Sequence, residues 1–179
     1  MSKLRGYAFL LLVSGTIIAL DQWTKWIVRN NLAIGETWSP FPWLTPYARI
    51  IHWNNTGAAF GLFPDGGKIF MVVAVLVTIA ILYYFPQIPA DKLAYKLALS
   101  MQLGGALGNL IDRVIQGPVT DFVSIGRFAV FNVADSSISI GTAVLVLVMW
   151  IDERRLTREQ ETSTDQPVQE RVSSKEQIE

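Results

Sequence analysis

The chain has 179 residues, 51% of them hydrophobic, with six tryptophans and a positive mean hydropathy, a composition that favours the membrane class over a soluble domain. Fifteen basic residues balance fifteen acidic ones and are scattered, which excludes the clustered basic face that nucleic acid requires. The absence of cysteine excludes thiol nucleophiles, disulfides and zinc–thiolate sites; a lone histidine, His52, with no Gly-x-Ser-x-Gly motif argues against a Ser-His-Asp hydrolase.

Four apolar runs approach the length a bilayer core demands, about 20 residues at about 1.5 Å rise. They predict helices over about 6–28, 69–85, 93–111 and 133–151, and hence an all-α membrane protein of four transmembrane helices in one domain, 1–153. The first run follows Lys3 and Arg5 as a secretory signal peptide would, but no Ala-x-Ala type cleavage site ends it. It continues through Asp21-Gln-Trp-Thr-Lys25-Trp-Ile-Val28 and is read as an uncleaved span. Asp65-Gly66-Gly67 opens the second run, Pro86 and Pro89 close it, and Asp152-Glu-Arg-Arg155 ends the fourth. Lys3, Arg5, Lys92, Lys96, Arg154, Arg155 and Arg158 fall on one side, so the positive-inside bias gives cytoplasmic termini.

The two loops on the other side, about 29–68 and 112–132, carry different signals. The first holds Trp38, Pro40, Pro42, Trp43, Pro46 and a strand-like stretch Ala48-Arg-Ile-Ile-His-Trp53, which predicts a small β platform lying in the headgroup layer. In the second, Gly117-Pro118 breaks the third helix and leads to Asp121. Residues 154–179 are polar, and beyond Arg158 no aromatic residue offers burial to offset ordering entropy, so a disordered cytoplasmic tail is expected.

Polar residues inside the apolar runs carry the functional information. Asp21 and Lys25 stand four apart on one helical face, either as an interfacial ion pair or as braces of a site. Asn54-Asn-Thr-Gly-Ala-Ala-Phe-Gly61 reads as a turn, or as a place where small residues admit close backbone approach. Gly104 and Gly108 form a small-xxx-small pair for helix packing, and Asn109, Asp112, Arg113 and Gln116 then make a polar stripe that should face the bundle interior or a wet cavity. Asp135, followed by three serines within four residues, is an N-cap candidate as much as a reactive carboxylate. Asp121 has no helix of its own to cap.

Two carboxylates delivered to similar depth, each from a loop–helix boundary, can share one proton, so that one takes a proton from water while the other donates to a carbonyl. Composition and spacing permit this without establishing that Asp121 and Asp135 meet. The same residues permit a small ion-coupled transporter with Asp21, Lys25, Arg113 and Asp135 along its pathway, or a noncatalytic scaffold.

Asp21-x-x-x-Lys25, Asn55-Thr-Gly-Ala-Ala-Phe60, Gly104-Gly-Ala-Leu-Gly-Asn-Leu-Ile-Asp-Arg113, Val119-Thr-Asp-Phe122 and Phe131-Asn-Val-Ala-Asp135, in that order over about residues 6–151, resemble the bacterial lipoprotein signal peptidases, signal peptidase II. The resemblance implies an inner-membrane aspartyl endopeptidase, with its active site near the outer face, that cuts prolipoproteins before a diacylglyceryl-modified cysteine. It implies Asp121 and Asp135 as the catalytic pair, with Asp21, Lys25, Asn55, Gly57, Asn109, Arg113, Asn132 and Ala134 supporting the site or binding substrate. No metal or cofactor is expected; the expected partners are a lipidated prolipoprotein and membrane lipid, and the chain is expected to be a monomer.

Overall fold

The computed structural model describes residues 3–57 and 66–164. Four helices, α1 (Lys3–Asn31), α2 (Gly67–Tyr84), α3 (Leu93–Ile115) and α4 (Val133–Thr164), are joined by three strands, β1 (Thr37–Trp38), β2 (Ala48–Asn55) and β3 (Val119–Ile125). The chain divides into two units, Met1–Leu145 and Val146–Glu179.

Within the first unit α3 is the inner helix. It buries residues on several sides, from Lys96 and Ala98 to Asn109 and Asp112, whereas α2 buries only Ile81. Close packing on α3 depends on glycine. A Cβ at Gly104 would stand 2.9 Å from Ile17 Cβ of α1, one at Gly105 would collide with the Ala134 carbonyl oxygen at the start of α4, and one at Gly108 would lie 2.8 Å from Asp21 Oδ2. Leu10, Ile81, Phe85 and Leu103 form the apolar core beside this contact. The Ser137 hydroxyl of α4 donates to the Met101 carbonyl of α3 at 2.8 Å.

Three helical stretches, Leu4–Asn31, Gly67–Gln87 and Val133–Gln160, are long and apolar enough to cross a membrane. Their outward residues are large and apolar, as at Leu11, Leu12, Val72, Leu76 and Ile79. The expected span at 93–111 falls on α3, which does not reach the same hydropathy among the described residues. The reason is its position: side chains packed against other helices need not be apolar to tolerate lipid, and α3 uses them for Ser100, Asn109 and Asp112.

The three strands form one antiparallel sheet in the order β1-β2-β3. The expected strand at 48–53 extends to Asn55, and β3 was not expected from the sequence. Val119, Thr120, Asp121 and Phe122 are all buried, so the alternation by which a half-buried strand is recognised is missing. Between Ile50↔Val123 and Trp53↔Asp121 the register shifts by one residue, a bulge in β2. Trp38, Phe41, Trp43, Tyr47 and Trp53 are exposed around the sheet.

Gln116 and Gly117 both donate to the Asp112 carbonyl, and Gly117 adopts φ +87°, ending α3 where Gly117-Pro118 was expected to break it. At the other end of the chain α4 continues to Thr164, beyond the helix end expected near 152–155. In this second unit the Arg154 guanidinium lies 4.0 Å from the Trp150 ring centroid. Ala58, Ala59, Phe60 and Gly61 of the small-residue motif and positions 165–179 of the expected tail lie outside the described residues.

Candidate active site

Asp121 and Asp135 are brought together by β3 and the start of α4. Phe122 and Val123 donate their N–H groups to the Phe131 carbonyl, and Phe131 donates back to the Val123 carbonyl, which ties the segment before α4 to the strand. Asn132 follows immediately and is held beside Asp121. Its Nδ2 donates to Asp121 Oδ1 at 2.7 Å, its Oδ1 accepts the Asp135 N–H at 2.9 Å, and its own N–H donates to Asp135 Oδ2 at 3.3 Å.

This corrects two expectations. Asp135 is not the helix cap; Asn132 caps α4, and Asp135 closes a reciprocal capping box from three residues on. Nor does Asp121 come from a loop–helix boundary, since it belongs to a strand. The cap requirement of α4 and the placement of the two carboxylates are therefore met by one asparagine side chain.

Asn109 completes the bracket. Its Nδ2 donates to Asp135 Oδ1 at 2.7 Å, while its Oδ1 accepts from Asn132 Nδ2 at 3.0 Å and from Lys25 Nζ at 3.0 Å. From the sheet, Asn55 Nδ2 donates to Asp121 Oδ2 at 2.8 Å, and Asn55 Oδ1 accepts the Gly57 N–H at 3.0 Å, fixing the amide's orientation. Asn55 reaches Asp121 from two residues beyond its direct partner Trp53, the diagonal distance across antiparallel strands.

Asp121 is 1% exposed. Burial, and then the neighbouring Asp135 carboxylate, push it up from an ordinary 3.8 to about 7, against the Asn55 and Asn132 amides and the Lys25 charge. Asp135 is half-buried and lines a cavity of about 810 Å³ together with Asn55, Asn109 and Arg113. The rest of the cavity wall is mostly apolar, with Phe70, Val73, Val77, Ala106, Phe128 and Ile138, interrupted by Gln102, Ser136 and Ser139. The Arg113 guanidinium sits 5.5 Å from the Phe70 ring centroid, and Nη1 reaches the Asn109 carbonyl at 3.4 Å.

Behind this bracket lies a buried ionic layer. Lys25 Nζ is 2.8 Å from Asp21 Oδ2 and 3.1 Å from Asp112 Oδ2, with all three side chains at most 1% exposed. Asp21 Oδ1 accepts the N–H of Ala134, which is itself fully buried. Asp21 and Lys25 thus form an internal layer rather than an interfacial pair. Of the polar stripe on α3, Asn109 and Asp112 are buried and Arg113 half-buried, but Gln116 is exposed because the helix ends there.

Gln22, Arg29 and Thr120 of the layer carry no assignment from the sequence, and Asp112 is placed there only as part of the inward-facing polar stripe. Gln22 Nε2 contacts Asp21 Oδ2, Asp112 Oδ1 and the Gly108 carbonyl; Arg29 Nη1 donates to Thr120 Oγ1 at 3.1 Å and lies 3.6 Å from Asp112 Oδ1. The spacing of Asp21, Lys25 and Arg29, each four apart on α1, was an available signal for Arg29. Thr120 had none, since its part is played through its backbone and hydroxyl. His52 takes no part: it is buried with Nδ1 against the Leu32 carbonyl at 2.8 Å.

The fold and its centre define a helical membrane protein whose paired carboxylates are bracketed by amides, with Asp135 at the wall of a largely apolar cavity and Asp121 buried beside it. Residues 13–151 match the family described as signal peptidase (SPase) II. The chain is 39% identical over 152 residues to a lipoprotein signal peptidase of Halalkalibacterium halodurans, covering 83% of this chain and 96% of that one. It is 34% identical over 148 residues to one of Bacillus subtilis, covering 80% and 94%. A solved bacterial membrane enzyme, determined by the in meso method at 2.3 Å resolution, superposes with a TM-score of 0.72 at 31% identity, over 80% of this chain and 88% of that one. The chain belongs to the signal peptidase II family and is an aspartic endopeptidase by that membership.

Proposed function

We propose that this protein removes the signal peptide from diacylglyceryl-modified prolipoproteins, cutting before the lipidated cysteine, with Asp121 and Asp135 as the catalytic pair. One observation carries the assignment of the pair: Asn132 holds both carboxylates at once, and Asn109 joins Asn132 to Asp135 beside the cavity. The two carboxyl groups titrate together and retain one proton between them. The ionised member takes a proton from water, the water oxygen attacks the scissile carbonyl, and the protonated member donates to the carbonyl oxygen. Collapse of the tetrahedral intermediate returns a proton to the leaving nitrogen.

The supporting residues divide by position. Asn55, Asn109 and Asn132 orient the carboxylates, Gly57 and Ala134 offer N–H groups to Asn55 and Asp21, and Asp21 and Lys25 form the layer behind. Arg113, on the cavity wall, supplies donors for a substrate carbonyl. The apolar remainder of the cavity suits a signal-peptide segment that enters sideways from the bilayer while its acyl chains stay in lipid.

In this reading α3 is a fourth span within a peptidase domain of residues 1–153. The polypeptide lies in the bacterial inner membrane as a monomer, with both termini and the 154–179 segment cytoplasmic, and the site and sheet near the outer face. Its lack of cysteine allows a direct check: a cysteine at Ser39 should react with an impermeant maleimide from outside, and one at Thr157 only after lysis. For the chemistry, Asp121→Asn and Asp135→Asn, purified folded, should each lose at least about a thousandfold in cleavage of a lipidated prolipoprotein, as expected when an acid–base unit is broken. Cleavage at the wild-type rate by either variant refutes the pair.

A further inference from the structure

The buried layer has a geometry beyond that of an ion pair. Asp21 Oδ1 accepts the N–H of Ala134 at 2.9 Å, and Asp112 Oδ2 accepts the N–H of Thr120 at 3.0 Å. Ala134 immediately precedes Asp135, and Thr120 immediately precedes Asp121. Lys25 Nζ bridges the other oxygen of Asp21 and the same Oδ2 of Asp112, at 2.8 and 3.1 Å, and takes Asn109 Oδ1 as its third acceptor at 3.0 Å.

We infer that Asp21 and Asp112 are a matched pair of positioning residues, each gripping the backbone one residue ahead of a catalytic aspartate, and that Lys25 yokes the two grips so that the separation of Asp121 and Asp135 is set from behind. The inference rests on the catalytic reading of that pair. It assigns roles to Asp112, Arg29 and Gln22, which that reading leaves unused.

Three features distinguish a yoke from a merely neutralised lysine. Lys25 is not paired with one counterion but lies between carboxylates carried by different helices, Asp21 of α1 and Asp112 of α3. Gln22 Nε2 also contacts both carboxylates: Asp112 at Oδ1, the oxygen Lys25 leaves free, at 3.1 Å, and Asp21 at Oδ2, the oxygen Lys25 holds, at 3.2 Å. The Ala134 N–H holds Asp21 Oδ1, so both carboxylates have each oxygen engaged. Arg29 grips the same strand residue as Asp112, through Thr120 Oγ1 at 3.1 Å, and brings the layer to two cations against two carboxylates. The layer joins α1, α3, β3 and α4, so a shift of any one element is transmitted to both aspartates. Gly108 leaves the space for it, since a Cβ there would stand 2.8 Å from Asp21 Oδ2.

Positioning matters because misplacement by about 1 Å costs about a hundredfold in rate. The groups that face Asp121 are Asp135 from α4, Lys25 from α1 and Arg113 from α3. Releasing β3 draws Asp121 away from Asp135 and admits water, and both changes move its titration to lower pH.

The test compares Asp112→Ala, Asp112→Asn and Thr120→Val with the wild-type full chain in detergent micelles, reading folding by thermal unfolding and cleavage of a lipidated prolipoprotein across pH. Asp112→Ala should lower kcat about tenfold or more with KM within about twofold, and should move the alkaline limb of kcat to lower pH by about half a unit. Asp112→Asn keeps an oxygen for the Thr120 N–H and should recover most of that kcat. Thr120→Val removes only the Arg29 grip and should show the same two changes at about threefold in kcat; it decides the matter if Asp112→Ala does not fold. A folded Asp112→Ala or Thr120→Val whose kcat falls with the limb unmoved, or whose kcat and limb are both unchanged, overturns the yoke, as does an Asp112→Asn no more active than Asp112→Ala. If Asp121→Asn cleaves normally, the catalytic assignment has failed instead, and that result is independent of the Asp112 series.

Discussion

Asp121 offers a prediction that separates its burial from its chemistry. In the unfolded chain its carboxyl ionises near 3.8, whereas in the folded protein burial and Asp135 hold it at about 7. A carboxyl raised in this way contributes stability that is fully present below the unfolded value and is lost as pH rises through the folded one, because the native state keeps a proton that the unfolded state has released. The interval from 3.8 to about 7 corresponds to about 4 kcal/mol, accumulated at about 1.4 kcal/mol per pH unit and then constant. Asp121→Asn removes the ionisation while keeping the shape, at the cost of reorienting one of the two amides, Asn55 or Asn132, that now donate to the carboxylate. That reorientation is common to all pH values. The stability of Asp121→Asn relative to wild type should therefore rise between about pH 4 and pH 7, by an amount of order 4 kcal/mol, and stay level above. Thermal unfolding of both proteins in the same detergent across that range measures it. A difference that is constant, or that falls with pH, refutes the raised carboxyl whatever happens to cleavage.

Three further outcomes follow from particular contacts. Lys25→Met leaves Asp21 and Asp112 buried without their shared cation and should cost about 3–5 kcal/mol, with Asp21→Asn in the same chain restoring part of it; additive losses in that double-mutant cycle would contradict the close pair. Gly105→Ala drives a methyl onto the Ala134 carbonyl and to 2.6 Å from Ile138 Cγ1, so it should cost about 1–3 kcal/mol in unfolding measurements and depress cleavage by moving α4; an unchanged midpoint would show that α3 and α4 are not in contact there. Asn55→Ala removes a hydrogen bond that favours the ionised Asp121, so the alkaline limb of the kcat profile should move to higher pH, and a shift to lower pH would reverse the assigned role of that amide.

Much of the molecule was legible because lipid and water impose opposite demands on a local stretch of chain. Apolar length located α1, α2 and α4, and Gly117-Pro118 located the end of α3. Gly104 and Gly108 announced close helix contacts. Polar residues in apolar surroundings singled out Asp21, Lys25, Asn109, Arg113 and Asp135, and the ordered motifs pointed to the signal peptidase II family to which the chain belongs. These signals survive in a linear reading since each is a property of a residue and its immediate neighbours.

Other assignments depended on which distant segments share a neighbourhood. Nothing local marks 119–125 as a strand, because its residues are buried on both faces and its partner is β2, about 70 residues earlier. Nothing local shows that Asn132, rather than Asp135, caps α4, since either residue type serves and the choice follows from where β3 holds Phe131. Asp112 and Thr120 are eight residues apart, and Asp21 and Ala134 are 113 apart, yet both pairs are joined by one backbone hydrogen bond and bridged by the same lysine. Costly groups can be recognised one at a time from the expense of burying charge. Their partners are chosen by packing, where glycine-lined contacts bring α1, α3 and α4 close enough for short side chains to meet.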